Sequence, residues 1–221
     1  MKSDPTIWLI ARASGLVAYV LLTTSVLAGI ILKSRPFGRR LRGITAMEIH
    51  RTLSFLGLAA IGLHGTALLL DQAVHIKVTG LLIPGLAPYR PLWTGLGVVA
   101  AELMVALIVS FPLRKVFGFK AWRKLHWVSY GTFVLAAAHG IKAGTDTGRA
   151  WTDALYVGSI GLVAAAVTWR AMTSGSSSKP ATTPAAAQSV HRAHGERPAT
   201  LHRPRAGEAT ATASGGNSFS R

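Results

Sequence analysis

Four histidines lie in stretches that otherwise carry almost no charge. His50 and His64 are 14 residues apart on one expected helix, and His126 and His139 are 13 apart on another. Imidazole nitrogens bind metals, and an ionisable side chain at membrane depth is costly enough to need a function. If the two helices are parallel, His50 stands level with His126 and His64 with His139. At 1.5 Å per residue the two levels are about 20 Å apart. Two imidazoles facing each other at one level are what an iron porphyrin needs at its two axial positions. Two such levels would form an electron relay from one side of a membrane to the other.

Helical phase supports one of the two pairs of positions. Fourteen residues at about 100° each fall about 40° short of whole turns, so His50 and His64 share a face. Thirteen leave about 220°, which turns His126 and His139 to different sides of a straight helix. The spacing therefore predicts either a distortion, with Gly131 as its natural place, or haems that meet different flanks of the helix.

The residues around the histidines admit two readings each. Gly57, Ala59, Ala60, Gly62 and Gly65 in one run, and Gly131, Ala136, Ala137, Ala138 and Gly140 in the other, allow close approach of a flat macrocycle or of a neighbouring helix. Arg51, Arg123 and Lys124 fall near the inner level, and Arg12 and Lys142 near the outer one, within reach of haem propionates. Snorkelling to the interface is the alternative for all but Arg12, which is expected well inside the first helix. Glu102, deep in a third run, suits a proton relay or an internal hydrogen bond. Phe55 and Phe133 suit the gap between the levels or ordinary core packing. His75 reads as a loop residue, and His191, His194 and His202 as bystanders in a polar tail.

The elements that must position these residues are apolar helices. Half the residues are hydrophobic and only 14% are charged, a balance unlike that of a soluble domain. Runs long enough to cross a bilayer are expected at Ala13–Leu32, Leu53–Leu70, Pro91–Phe111, His126–Ile141 and Thr152–Trp169. The net charge of +16 is not spread evenly. Lys33, Arg35, Arg39, Arg40 and Arg42 separate the first two runs, Arg114, Lys115, Lys120, Arg123 and Lys124 the third and fourth, and Arg170 opens the tail. That alternation follows the positive-inside rule and predicts a multi-pass cell-membrane protein with its N-terminus outside and its C-terminus in the cytoplasm. It also accounts for the basic charge without nucleic acid. The absence of cysteine excludes thiolate-held clusters and covalently attached haem, so a haem would be of the b type. The expected fold class is an all-α integral membrane protein, a bundle of about five transmembrane helices over residues 1–170. A disordered basic tail is expected over 171–221, where Ser, Ala, Thr, Pro, Gly and Arg dominate.

The run His50-Arg-Thr-Leu-Ser-Phe-Leu-Gly-Leu through His64-Gly, with Trp122-Arg-Lys-Leu-His126 and Ser129-Tyr through His139-Gly140, resembles the ferric reductase-like transmembrane domain. That superfamily includes NADPH oxidases, ferric reductases and the membrane haem subunit of the periplasmic methionine sulfoxide reductase system. The resemblance covers Ile7 to Trp169. It implies two b haems, with His50 and His126 ligating the inner and His64 and His139 the outer. It also gives Arg12, in Ala11-Arg12-Ala13, a place beside the outer propionates. Nothing here resembles a Rossmann fingerprint, unlike the many relatives that continue into flavin and nicotinamide domains. The implied donor is a separate flavoprotein reductase, reduced flavin or quinol, and the implied acceptor is ferric iron, oxygen or an extracytoplasmic enzyme. Two other readings of the same residues are a single-haem, quinol-linked cytochrome and a haem-free proton or metal transporter or scaffold.

Overall fold

A computed structural model describes residues 5–34, 43–72 and 74–174 of the chain. These residues are helical with short connections, and the described part contains no strand. The elements are α1 (Pro5–Ser34), α2 (Gly43–Leu70), α3 (Val78–Leu82), α4 (Pro91–Phe117), α5 (Phe119–Leu125), α6 (Val128–Ala143) and α7 (Ala150–Ser174). The tail from residue 175 onward, and with it the expectation of disorder, lies outside the described residues.

The all-α membrane bundle expected from the composition is the architecture found. Among the described residues α1, α2, α4 and α7 are each long and apolar enough to span a bilayer. At 1.5 Å per residue the 27 residues of α4 reach about 40 Å, enough to cross a hydrocarbon core of about 30 Å. The remaining apolar run is different. It is the fourth in chain order, His126–Ile141, and it falls on the 16-residue α6, which is shorter than the four spanning helices and follows the separate seven-residue α5.

The helices are also longer than the apolar runs suggest. Glu48, His50 and Arg51 interrupt the hydropathy of the second run, yet α2 begins at Gly43 and carries all three. The outward surfaces are apolar: Leu56, Leu63 and Leu70 on α2, and Leu92, Val109 and Val116 on α4, are more than half exposed. Only 11% of the α2 span is buried within the protein. Such a surface is stable against lipid chains and not against water.

The core lies between α1, α4, α6 and α7, where Tyr19, Leu22, Val26, Ile30, Met104, Phe133, Tyr156 and Val163 are buried together. Phe133 stacks on Tyr19, with ring centres 6.0 Å apart. Phe55 is half exposed on the outside of α2 and does not fill the space between the histidine levels. α1 packs chiefly on α2, and α4 on α6, while α2 and α6 make little direct backbone contact. The bundle is therefore two helix pairs with a slot between α2 and α6.

Candidate metal centre

His50, His64, His126 and His139 meet in two pairs across this slot. The rings of His50 and His126 have centres 6.0 Å apart and planes at 78°. Those of His64 and His139 are 6.4 Å apart at 76°. A metal–imidazole bond of about 2.0–2.1 Å on each side, with each ring centre about 1.1 Å behind its nitrogen, separates two centres by roughly 6.3 Å. Both pairs stand at that separation. Neither pair has further ligands from the protein: no group of three or more metal-binding side chains occurs among the described residues. Two imidazoles and nothing else suit a metal that brings its equatorial ligands with it.

Three of the rings are oriented by backbone carbonyls. Nδ1 of His64 lies 2.7 Å from the carbonyl oxygen of Ala11, Nδ1 of His50 2.9 Å from that of Ser25, and Nδ1 of His139 2.9 Å from that of Trp93. A carbonyl only accepts, so in each case Nδ1 carries the proton and Nε2 is left as the free donor toward a metal. Ser25 Oγ is also 3.1 Å from His50 Nδ1 and 2.8 Å from Ser54 Oγ, which closes a small network behind this ring.

A local rule makes these contacts possible. Each carbonyl already accepts a helical hydrogen bond from the residue four positions on, and the side chain at that position leans back over it. At all three docks that position is glycine: Gly15 after Ala11, Gly29 after Ser25 and Gly97 after Trp93. A Cβ at Gly97 would meet His139 Nδ1 at 2.6 Å, one at Gly15 would meet His64 Nδ1 at 3.0 Å, and one at Gly29 would meet His50 Cε1 at 3.4 Å. Gly15 and Gly29 are 14 apart on α1, like His64 and His50 on the antiparallel α2.

The phase difficulty of the 13-residue spacing is eased by a break near His126, while Gly131 lies within α6. Trp127 N–H bonds to Lys124 O, Ser129 N–H to His126 O and Tyr130 N–H to Trp127 O, all of the i−3 type. A 3₁₀ step turns about 120° where an α step turns about 100°, so the break at His126–Trp127 recovers roughly 40° of the approximately 140° of missing rotation.

A family model, described as a domain of unknown function (DUF8596), matches residues 6–146. That is more than half of the 221-residue chain. The chain belongs to the DUF8596 family. The matched region runs from α1 through α6 and contains all four paired histidines and the three docking glycines. No curated protein and no solved structure matches the chain.

The other residues singled out in this DUF8596 chain are placed as follows. Arg12 is ion-paired to Asp146, which is buried, and lies 5.0 Å from the centre of the Trp8 ring. Asp146 is also 3.4 Å from Arg149. Arg51 pairs with Glu48 at 3.0 Å on an exposed face. Arg123 lies over Phe119, and Lys142 over Trp93, whose carbonyl holds His139. Glu102 is exposed on α4, so the internal hydrogen bond expected of it is not the arrangement found. His75 is exposed in the loop after α2, as expected.

Two residues near the site carried no sequence signal of this role. Arg90, in a left-handed conformation at φ 42°, donates to the Lys142 carbonyl and lines a shallow concavity with Pro91, Leu92, Trp93 and Lys142. Trp122 stacks on His126 with centres 5.1 Å apart and planes at 27°. Arg12, read from the sequence as a neighbour of the outer propionates, has Asp146 as its counter-ion.

Proposed function

We propose that the protein is a transmembrane b-type cytochrome that holds two haems and passes electrons from the cytoplasmic to the outer side, in the manner of the ferric reductase-like domains it resembles. The observation that carries this reading is the pair of facing imidazole sets at 6.0 and 6.4 Å, the separation that two axial ligands of one iron require. His50 and His126 would hold the inner haem, and His64 and His139 the outer. When bound, two such haems supply reversible one-electron chemistry at two depths in the membrane.

The chain's own part is to bind and orient. The Ala11, Ser25 and Trp93 carbonyls fix three rings with Nε2 toward the slot, which prevents each imidazole from turning its protonated nitrogen to the metal. Lys142 and Arg90 put positive charge near His139, and Arg123 and Lys124 put it near His126, where anionic propionates would be compensated. Arg12 contributes less free charge, because Asp146 already neutralises it. The basic residues between the first and second apolar runs and between the third and fourth support a cytoplasmic side for the His50–His126 level under the positive-inside rule. Electrons would enter there from a separate flavoprotein reductase, reduced flavin or a quinol. They would leave at the His64–His139 level to ferric iron, oxygen or an extracytoplasmic enzyme.

The test is haem content in ligand variants. His64→Ala is expected to lose the outer haem and keep the inner, halving the reduced-minus-oxidised absorbance per chain. Full haem retention in that variant, with the protein still folded, would remove His64 from the ligand set.

A further inference from the structure

The fourth histidine lacks the support given to the other three. His126 Nδ1 is buried and has no hydrogen-bond partner among the described residues. The reason is visible on α4. His139 docks on Trp93 over Gly97, and a step of 14 residues toward the inner level, as on α1, leads to Leu107 and Phe111. The Leu107 carbonyl accepts from Ser110 Oγ at 2.7 Å, much as the Ala11 carbonyl accepts from Ser14 Oγ at 3.1 Å; the difference is that the place of the fourth glycine is taken by a phenylalanine. Phe111 packs edge-on against Trp122 at 5.8 Å, and Trp122 in turn stacks on His126. His126 also sits between α5 and α6, where the i−3 bonds replace regular α-helix.

Resting on the two-haem reading above, we propose that His126 is an exchangeable ligand, held by stacking on Trp122 instead of by a carbonyl, so that the inner position admits a small neutral donor molecule while the outer stays closed. Outer-shell hydrogen bonds to a metal-bound imidazole are commonly worth about 10–100-fold in metal affinity. At the outer pair both rings have one, and at the inner pair only His50 does. Stacking restrains the tilt of the His126 ring but leaves it free to withdraw along the plane of Trp122.

Carbon monoxide is the probe, added to the dithionite-reduced full-length protein purified in detergent and read by the shift of the haem absorption band. One haem of the two should shift. The reactive fraction should vanish in a His50→Ala/His126→Ala double variant, whose remaining haem should be inert. It should persist in the His64→Ala/His139→Ala double variant. No shift, a shift of both haems, or a reactive haem that survives without the inner pair would overturn the proposal. If neither double variant accumulates, Trp122→Ala serves: CO should bind at least about tenfold more tightly with an unchanged one-haem amplitude, and an unchanged affinity would count against the role given to His126. A chain that purifies without haem from haem-replete cells would overturn the two-haem reading itself, and this inference with it.

Discussion

At the residue scale, each docked imidazole is set by a neighbour that contributes no side chain. A carbonyl chooses the tautomer, and a glycine four residues later clears the approach. This gives a sharp expectation for Gly97→Ala, whose new methyl would meet the His139 ring at 2.6 Å, too close for either to remain in place. The variant should bind the outer haem at least about tenfold more weakly. Gly62→Ala, where no atom lies within 4 Å, should bind it as the parent does. Haem-to-protein ratios of the two variants decide the matter, and equal retention would mean that the His139 dock does not position a ligand. The histidines themselves were legible, because an ionisable residue in an apolar run stands out and their spacing pairs them by depth. The docks were not, because a carbonyl is common to every residue. The 14-residue interval between Gly15 and Gly29 was the available trace, and it reads equally well as close helix packing. Phe111 in the fourth place is legible only once the other three docks are known.

At the element scale, the four long apolar helices could be read from hydropathy, but their ends could not. α2 runs ten residues beyond its apolar segment, because the polar side chains that interrupt hydropathy at Glu48, His50 and Arg51 do not interrupt the backbone hydrogen bonds. The division between α5 and α6 has no proline or glycine at His126–Trp127 to announce it. What marks it is the basic, aromatic α5, whose Lys120, Arg123 and Lys124 are exposed while Trp122 turns inward. Its start is set by Gly118, at φ 82°, a conformation that costs a residue with a side chain about 1 kcal/mol or more. The end of the bundle that carries the His64–His139 pair is tied by the Arg12–Asp146 pair between α1 and the loop after α6. Removing one member leaves a largely buried charge uncompensated, at a cost of about 3 kcal/mol. Asp146→Asn should therefore lower the apparent melting temperature in detergent clearly, and an Arg12→Met/Asp146→Leu double variant should lower it less. A double variant less stable than the single one would show that the pair contributes more than charge compensation.

At the scale of the whole molecule, the arrangement predicts a polarity that can be measured directly. The protein has no cysteine, so a single introduced one is a unique label. His75→Cys, in the exposed loop after α2, should react with a membrane-impermeant maleimide in intact cells. Lys120→Cys, on α5, should react only after the membrane is opened. The reverse pattern would invert the assignment of inner and outer levels without disturbing the pairing. Glu102 belongs to this scale as well. It is exposed at mid-height on α4 instead of facing the slot, so it takes no part in the geometry of either histidine pair.

The central claim is that each facing histidine pair holds one haem. The most direct measurement is a pyridine haemochrome titration of the detergent-purified protein, made in cells with ample haem, against protein mass from amino-acid analysis. Two b-type haems per chain, with a reduced-minus-oxidised spectrum to match, is the predicted result. A folded, colourless chain would contradict it and leave the helix bundle without its proposed role.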